Sequence, residues 1–252
     1  MAEQLLRVEH VSKRFGGLLA IDDVSLAVEG GRVTALIGPN GAGKTTLFSI
    51  ISGFLPPGKG RILHRGTDIT GLPPYLMARR GIARTFQIVQ PFAGLTVHEN
   101  IAVGAHLSRR SRAEALKAAA EVASAVGLAN LLDRPAASLT VAARKRLEVA
   151  RALATEPELL LLDEVLAGLN PTEVAAMLPA IRALAGRGVT ILMIEHVMQA
   201  VMSLAEHVFV LAEGRIVAQG SPREVVSNPQ VIESYLGRGA ATRLVVAGGG
   251  HG

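Results

Sequence analysis

Residues 38–46 read Gly-Pro-Asn-Gly-Ala-Gly-Lys-Thr-Thr and fit the phosphate-binding loop pattern G-x-x-x-x-G-K-[ST]. The glycines allow a tight turn in which successive backbone N–H groups point at phosphate oxygens. The lysine adds a positive charge near the β and γ phosphates, and the first threonine hydroxyl suits Mg²⁺, a hard cation. The residues that we expect to contact the nucleotide are Gly38, Pro39, Asn40, Gly41, Ala42, Gly43, Lys44, Thr45 and Thr46.

The segments on either side of this loop support the same interpretation. Residues 32–37 are a short apolar run that is typical of a buried strand, and residues 44–52 have the pattern of a helix. The loop would then deliver phosphate groups to a helix N-terminus, where the helix dipole favours anions. The sequence therefore predicts a site for a nucleoside triphosphate.

Composition limits the class of protein. The 252 residues are 49% apolar and 3% aromatic, which suits buried parallel strands and argues against a nucleic-acid surface built on stacked rings. The net charge of +5 is carried by scattered arginines, which leaves open a solvated basic surface, attraction to lipid headgroups or a nucleic-acid patch. The sequence has no cysteine, no apolar run of about 18 residues and no signal peptide in residues 1–10. We expect a soluble, cytoplasmic protein.

Apolar runs and cap signals predict strands that alternate with helices. Strands are predicted at 5–10, 26–28, 32–37, 61–64, 81–87, 158–162 and 189–194, and as a hairpin at 207–211 and 215–219. Helices are predicted at 44–52 and 73–80, in an insertion at 96–132 with two capping boxes, at 141–154, from Asn170 to near Gly186, and after Ser221 and Asn228. This alternation predicts an α/β fold with a mostly parallel sheet and helices on both faces.

Chemically active side chains follow several of the predicted central strands. Gly38, Gln87, Asp163 and His196 each come at or just past the end of one strand. Ligands of open α/β sheets bind at that edge, so these segments are expected to meet there. Phe15 lies upstream of the loop, in residues 11–19, and two interpretations stay open for it: stacking on the adenine ring, or packing in the core.

Together these residues resemble the ATP-binding-cassette ATPases, the energy-supplying subunits of ABC transporters. The resemblance covers residues 4–237 and includes the phosphate loop, Gln87, the apolar run 159–164 that ends in Asp-Glu, the segment 167–170, and His196. The stretches 14–18, 85–87, 146–151, 167–171 and 228–237 are similar to one subgroup, the ATPases of high-affinity branched-chain amino acid importers. Members of this subgroup also serve importers of urea, amides and aromatic acids.

The resemblance implies a role for each group. ATP and Mg²⁺ would bind together, with Thr45, Gln87 and Asp163 supplying oxygen ligands to the metal. Glu164 would be the general base that polarises the attacking water, and His196 would contact the γ-phosphate. Lys44 and the metal would stabilise charge on the phosphoryl group during transfer. Catalysis would therefore depend on Glu164, His196, Gln87 and Lys44.

One segment departs from the family pattern. The signature Leu-Ser-Gly-Gly-Gln, which caps the ATP of the opposite subunit, falls where this chain reads Leu-Thr-Val-Ala-Ala at 139–143. Thr140 keeps a hydroxyl and the helix dipole, whereas the glycines and the glutamine are absent. Two interpretations follow: a partner subunit supplies the intact signature, or one of two sites hydrolyses ATP weakly. An asymmetric heterodimer is the hypothesis that this departure favours.

The resemblance also predicts an organisation and a set of partners. The nucleotide-binding domain would span 1–238, with core lobes at 1–89 and 151–238, a small antiparallel β subdomain and a helical subdomain at 90–150, followed by a flexible tail at 239–252. The apolar loop 88–92 after Gln87 would dock on a helix of the membrane permease. For Phe92 a second interpretation stays open, which is packing against the chain's own helical insertion. The expected partners are permease subunits, a second ATPase subunit and, indirectly, a periplasmic or extracellular solute-binding protein. The chain would lie at the cytoplasmic face of the cell membrane, with no nucleic acid bound.

Two other functions compete with import. A cassette ATPase of DNA repair, chromosome structure or translation would carry coiled coils, a second cassette or basic linkers, and would bind nucleic acid in a salt-sensitive manner. A small-molecule or nucleoside kinase would use the same phosphate loop but release a phosphorylated product. The glutamate after Asp163 and the strand before His196 favour water as the acceptor.

Overall fold

Two β-sheets and the helices around them form the described part of the chain, which in this computed structural model is residues 3–86, 90–229 and 231. The strands are β1 (Gln4–Phe15), β2 (Leu18–Glu29), β3 (Val33–Ile37), β4 (Lys59–His64), β5 (Thr67–Asp68), β6 (Ile82–Arg84), β7 (Leu159–Asp163), β8 (Thr190–Ile194), β9 (His207–Ala212) and β10 (Arg215–Gly220). The helices are α1 (Lys44–Ile51), α2 (Pro74–Arg79), α3 (Val97–Ala105), α4 (Arg112–Ala125), α5 (Val141–Leu153), α6 (Pro171–Gly186), α7 (Met198–Leu204) and α8 (Pro222–Val226).

The larger sheet holds the predicted central strands side by side. Its order is β10-β9-β3-β8-β7-β6, and its strands run parallel except for β10, which returns antiparallel to β9 in the predicted hairpin. Every residue of β3, β7 and β8 is buried, because both faces of this sheet are covered. Helix α1 and the smaller sheet pack on one face, and helices such as α3, α5 and α6 pack on the other. The α/β fold with a mostly parallel core sheet is confirmed, and β3, β8 and β7 bring their carboxyl ends together.

The smaller sheet is antiparallel, with the order β2-β1-β4-β5, so the predicted small antiparallel unit is also present. Its first two strands are twelve residues each, and the short strands predicted at 5–10 and 26–28 were wrong in length. Register shifts interrupt the pairing of β1 with β2. His10 and Asp23 adopt φ values of +51° and +53° at these shifts, and such bulges break the alternation that identifies a strand in sequence.

Helices α3, α4 and α5 pack on one another and on the larger sheet through one continuous apolar core. Both predicted capping boxes are present: the side chains of Thr96 and Ser111 accept from the backbone of Glu99 and Glu114, whose carboxylates bind back. The boundaries at 89, 150 and 238 remain predictions.

Helix α7 was not predicted from the sequence, and several predictions concern residues outside the described ranges. Helix α7 has no start signal, since its N-cap Val197 has no side-chain acceptor. Gln87, residues 88–89 and the tail at 239–252 lie outside the described residues. No helix in the described ranges combines the length and apolar character required to cross a bilayer.

Candidate active site

The phosphate loop leaves β3 and enters α1 through backbone that only glycine adopts without strain. Gly38 has φ +153°, and a Cβ there would lie 1.9 Å from the carbonyl oxygen of Leu211 in β9. Gly43 has φ +104°, and its Cβ would lie 2.5 Å from the carbonyl oxygen of Ala20 in β2. The loop is thus held between the two sheets by close contacts that a side chain would break.

The middle of the loop is open, which distinguishes it from the two ends. Gly41 has φ +79°, and a Cβ there would meet no atom within 4 Å. Lys44 folds back over this turn, and its Nζ donates to the carbonyl oxygens of Gly38 at 2.7 Å and Pro39 at 2.9 Å. Burial lowers the pKa of Lys44, and the nearby Glu164 and Asp163 carboxylates oppose that shift. The ammonium is therefore already in the loop, balanced by two carboxylates.

Asp163 is the last residue of β7 and is 2% exposed. Its backbone N–H donates to Thr85 Oγ1 at 3.0 Å, and its Oδ2 lies 2.8 Å from Arg84 Nη2. Its Oδ1 is buried and has no hydrogen-bond partner in the described part of the chain. Thr45 and Asp163 line the same cavity, so a hydroxyl and an unsatisfied carboxylate oxygen share one space. This donor set fits a hard divalent cation.

Glu164 follows Asp163 with φ +49°, an unusual conformation for a residue with a side chain. Its N–H donates to the carbonyl oxygen of Ile194 at 3.0 Å, which ties the residue after β7 to the carboxyl end of β8. Its Oε1 lies 2.5 Å from His196 Nε2. An ionised carboxylate can only accept, so Nε2 carries the proton of this contact when Glu164 is charged. The structure thus pairs the predicted base with the predicted phosphate-sensing histidine.

A buried polar layer lies behind Glu164 and connects it to α5. Lys145 Nζ donates to the carbonyl oxygen of Glu164 at 3.2 Å. Glu195 is 2% exposed, and its Oε1 accepts from the N–H of Leu166 at 3.0 Å. The pKa of Glu195 is raised to about 7, chiefly by burial and in part by the Glu164 carboxylate. Hydrogen bonds from Leu166 and His196 and the charge of Lys145 oppose this rise. The helix after the signature segment therefore touches the backbone of the catalytic candidate.

A cavity of about 530 Å³ opens beside the phosphate loop and extends toward β1 and β2. Its lining includes Glu164, Phe15 and the following loop residues: Asn40, Gly41, Ala42, Gly43, Lys44, Thr45 and Thr46. The Phe15 ring is 47% exposed at the edge of this cavity, so packing in the core is excluded for it. Thr140 lies apart, as the N-cap of α5, where its Oγ1 accepts from the N–H of Ala143 at 3.3 Å.

Three buried charged residues around the site were not predicted from the sequence: Arg84, Lys145 and Glu195. None of the three belongs to a motif that the sequence displays. For Arg84 a signal existed, because it ends a short buried strand that was predicted to lie in the same sheet as the strand of Asp163. An arginine in that position must find a carboxylate.

Comparison with known proteins gives the same assignment as the geometry. The family model for ABC transporters matches residues 21–167, and the model for the branched-chain amino acid ATP-binding cassette transporter matches residues 215–241. The chain is 41% identical over 253 residues to the high-affinity branched-chain amino acid transport ATP-binding protein BraF of Pseudomonas aeruginosa, with 94% of this chain and 99% of that protein covered. The protein LivG of Escherichia coli K12, which has the same description, matches with the same identity and coverage.

A solved structure supports the same family. The ADP conformation of an ATP-binding cassette of an ABC transporter has a TM-score of 0.85 and 34% identity, and the match covers 93% of this chain and 99% of that one. A nucleotide-free cassette has a TM-score of 0.84 at the same identity. The chain therefore belongs to the ATP-binding proteins of ABC transporters, an ATPase family, and within it to the branched-chain amino acid group.

Proposed function

We propose that this chain is the ATP-hydrolysing subunit of an importer for branched-chain amino acids or a related small polar solute. The observation that carries the proposal is the meeting, at one edge of the larger sheet, of the phosphate loop, Asp163 and the Glu164–His196 pair. The family described above supplies the link to transport, and the names of the relatives supply the solute class.

The loop residues and Lys44 would bind the triphosphate. The open turn at Gly41 exposes backbone N–H groups to phosphate oxygens, and Lys44 would exchange its carbonyl partners for the β and γ phosphates. Phe15 lies where it can stack on the base. Thr45 and Asp163 fit a magnesium ion, because Asp163 Oδ1 is buried without a partner among the described residues. Mg²⁺ would supply charge stabilisation to the phosphoryl group. Gln87 is proposed as a further oxygen ligand on the basis of family resemblance alone.

Glu164 would act as the general base toward water, and His196 would hold the γ-phosphate. The base is poised for this because its backbone is fixed by Ile194 on one side and Lys145 on the other. Glu164 has no metal to hold, since the metal ligand is its neighbour Asp163. The side chain would therefore exchange its contact with His196 for one with a water molecule.

A second ATPase subunit is needed to complete the site. In this chain the signature position offers Thr140, whose hydroxyl already caps its own helix, and Val141, whose side chain is 59% exposed. Val141 and Ala142 place side-chain carbons where the family has two glycines. We therefore propose a heterodimer in which the partner contributes an intact signature to the ATP bound here. The other interpretation is that one of the two sites hydrolyses ATP weakly. It attributes that weak hydrolysis to the same segment, residues 139–143.

The permease would dock in an apolar groove on the outer side of the site. The groove has a volume of about 260 Å³ and includes Phe54, Ala78, Phe86 and Val103 among its lining residues. Phe92, from the loop expected to dock, is held on the chain's own helices: its N–H donates to Asn100 Oδ1, and its ring lies 4.7 Å from the Arg151 guanidinium. An amphipathic permease helix suits this groove. Such docking would place the chain at the cytoplasmic face of the membrane, with the solute-binding protein on the other side and no nucleic acid involved.

Copurification and reconstitution test the proposal. The chain is produced with its native permease and partner ATPase, the complex is placed in vesicles, and solutes are supplied on the binding protein while free phosphate is measured. Stimulation by one class of solute supports import. A phosphorylated product in place of free phosphate, or salt-sensitive binding of DNA or RNA with no permease bound, would overturn it.

A further inference from the structure

Arg84 is a buried cation that the roles proposed above do not use. Its Nη2 lies 2.8 Å from Asp163 Oδ2, and the two side chains are 7% and 2% exposed. Its Nη1 donates to the hydroxyls of Ser49 and Ser52, both at 3.1 Å, on the helix that leaves the phosphate loop and at its C-terminal end. One guanidinium thus connects the loop helix to the strand that carries the metal ligand.

Aromatic rings surround the same guanidinium. Its Cζ lies 5.9 Å from the ring centres of Phe48 and Phe54 and 5.6 Å from that of Phe86. Phe54 and Phe86 meet edge to face, with centroids 5.4 Å apart. Rings attract a cation with their faces and confine the planar guanidinium to one place. The position of the charge beside Asp163 is therefore fixed by packing as well as by hydrogen bonds.

The two oxygens of Asp163 have different surroundings as a result. Oδ2 is held by Arg84, and Oδ1 is buried without a partner in the described ranges. A buried carboxylate is stable only when its charge is compensated. Arg84 provides that compensation before any metal binds, and it leaves one oxygen free for the metal or for its water.

We propose that Arg84 is a positioning residue that serves as the standing counter-ion of Asp163, aiming the carboxylate at Mg²⁺ and preventing it from repelling ATP before the metal arrives. This inference rests on the proposed Mg²⁺-ATP site. Arg84 also lines the proposed permease-docking groove together with Phe54 and Phe86. Its side chain therefore links that groove to Asp163, the proposed metal ligand.

The sign of the effect follows from charge. Without Arg84, Lys44 alone would offset the charges of Asp163 and Glu164. The Asp163 carboxylate would then repel the triphosphate more strongly, so metal-free ATP would bind more weakly. Mg²⁺ restores a positive charge at the same carboxylate, so the affinity for ATP in the presence of Mg²⁺ would change little. The ratio of the two ATP dissociation constants, in EDTA and in Mg²⁺, would therefore rise.

The test uses the isolated full chain and a fluorescent ATP analogue, titrated in EDTA and in saturating MgCl₂. Arg84→Gln keeps an amide that can donate to Asp163 but removes the charge, and we expect the ratio to rise about tenfold. Arg84→Lys keeps the charge, and we expect a ratio within about twofold of wild type. Binding of Mn²⁺ with the analogue, followed by electron paramagnetic resonance, reports the metal directly.

The outcomes separate the proposal from simple packing. A structural role would weaken both affinities by the same factor in Arg84→Gln and leave the ratio unchanged, which would overturn the inference. If Arg84→Gln does not fold, Arg84→Lys decides alone, because a ratio that rises despite the retained charge contradicts the counter-ion role. Failure of the wild-type chain to bind the analogue at all would instead refute the proposed function.

Discussion

His196 Nε2 lies 2.5 Å from Glu164 Oε1, so the histidine proposed to sense the γ-phosphate is held by the carboxylate proposed to activate water. The histidine has one Nε2 proton to donate, and it cannot serve both partners in the same geometry. If these proposed roles hold, entry of ATP would separate the pair, and Glu164 would contact water at the moment when a phosphate becomes available. In the proposed mechanism, this contact would be a resting state that ATP itself disrupts.

The first prediction concerns this pair. Glu164→Gln removes the base but keeps the side-chain shape, so we expect ATP affinity to be retained while turnover in the complete complex falls by about 10²–10⁴-fold. Adding His196→Ala should cost little more, because the two residues act as a unit. Phosphate release and nucleotide binding are measured side by side, with the exposed Glu121→Gln on α4 as a control. Normal hydrolysis by Glu164→Gln would show that another group is the base.

The second prediction concerns the loop backbone. Gly43→Ala would place a Cβ 2.5 Å from the Ala20 carbonyl oxygen at φ +104°. We expect the free energy of unfolding to fall by about 3 kcal/mol. We also expect this variant to lose nucleotide binding. Gly186→Ala is the matched control, since its Cβ meets no atom within 4 Å and its φ is not positive. Urea denaturation should show that variant at or slightly above wild-type stability. Equal stability of the two variants would contradict the strain argument.

Much of the fold was accessible from the sequence because its signals are local. The phosphate loop, the apolar strands β3, β7 and β8, and the capping boxes each depend on residues within one turn or strand. The long strands β1 and β2 were not accessible, since bulges at His10 and Asp23 disturb their alternation. At the site, motifs identified Asp163 and Glu164. The charges behind them, Lys145 and Glu195, could not be assigned partners because their contacts arise only from packing.

The third prediction is a pH dependence of stability that originates at Glu195. Its pKa is about 7 in the folded chain against an ordinary value of 4.5. Between these values the folded state holds a proton that the unfolded state has released, so stability falls as the pH rises through this window and levels off above about 7. Glu195→Gln retains an acceptor for Leu166 but cannot ionise. We expect this variant to match wild type at low pH and to exceed it by on the order of 3 kcal/mol above pH 7.

Chemical denaturation at a series of pH values measures this effect. Glu121→Gln again serves as the control, because it removes the same charge from an exposed position. A Glu195→Gln profile parallel to that of wild type would mean that Glu195 ionises freely in the folded chain.

The fourth prediction addresses the docking groove. Val103 lines the groove and is 45% exposed, whereas Val226 is 44% exposed on α8 and is absent from the groove lining described here. Val103→Glu would bury a charge under a docked helix, so we expect capture of the permease to fall by about tenfold or more. Val226→Glu should leave capture unchanged. Both isolated variants should unfold within about 0.5 kcal/mol of wild type, and undiminished capture by Val103→Glu would place the permease elsewhere.

The fifth prediction repairs the signature. Wild-type chain alone should hydrolyse ATP poorly, because residues 140–143 lack the glycines for close approach to a neighbour's ATP. Replacing them with Ser-Gly-Gly-Gln should raise the ATPase activity of the isolated chain by about tenfold or more, despite a helix cost of about 1 kcal/mol for each glycine. Val141→Ala alone is the control. Activity is followed as a function of protein concentration, and vigorous cooperative turnover by the wild-type chain would count against the heterodimer.

Helix α4 has a further consequence for how the cassette moves. Its buried residues are Ala115, Ala119 and Ala123, spaced so that one row of methyl groups faces α3 and its neighbours. Large side chains interdigitate and resist displacement, whereas a row of methyl groups presents shallow ridges. Small shear steps of α4 along α3 would therefore require few changes of side-chain rotamer. The alanine row would therefore offer little side-chain resistance to a small displacement of α4 against α3.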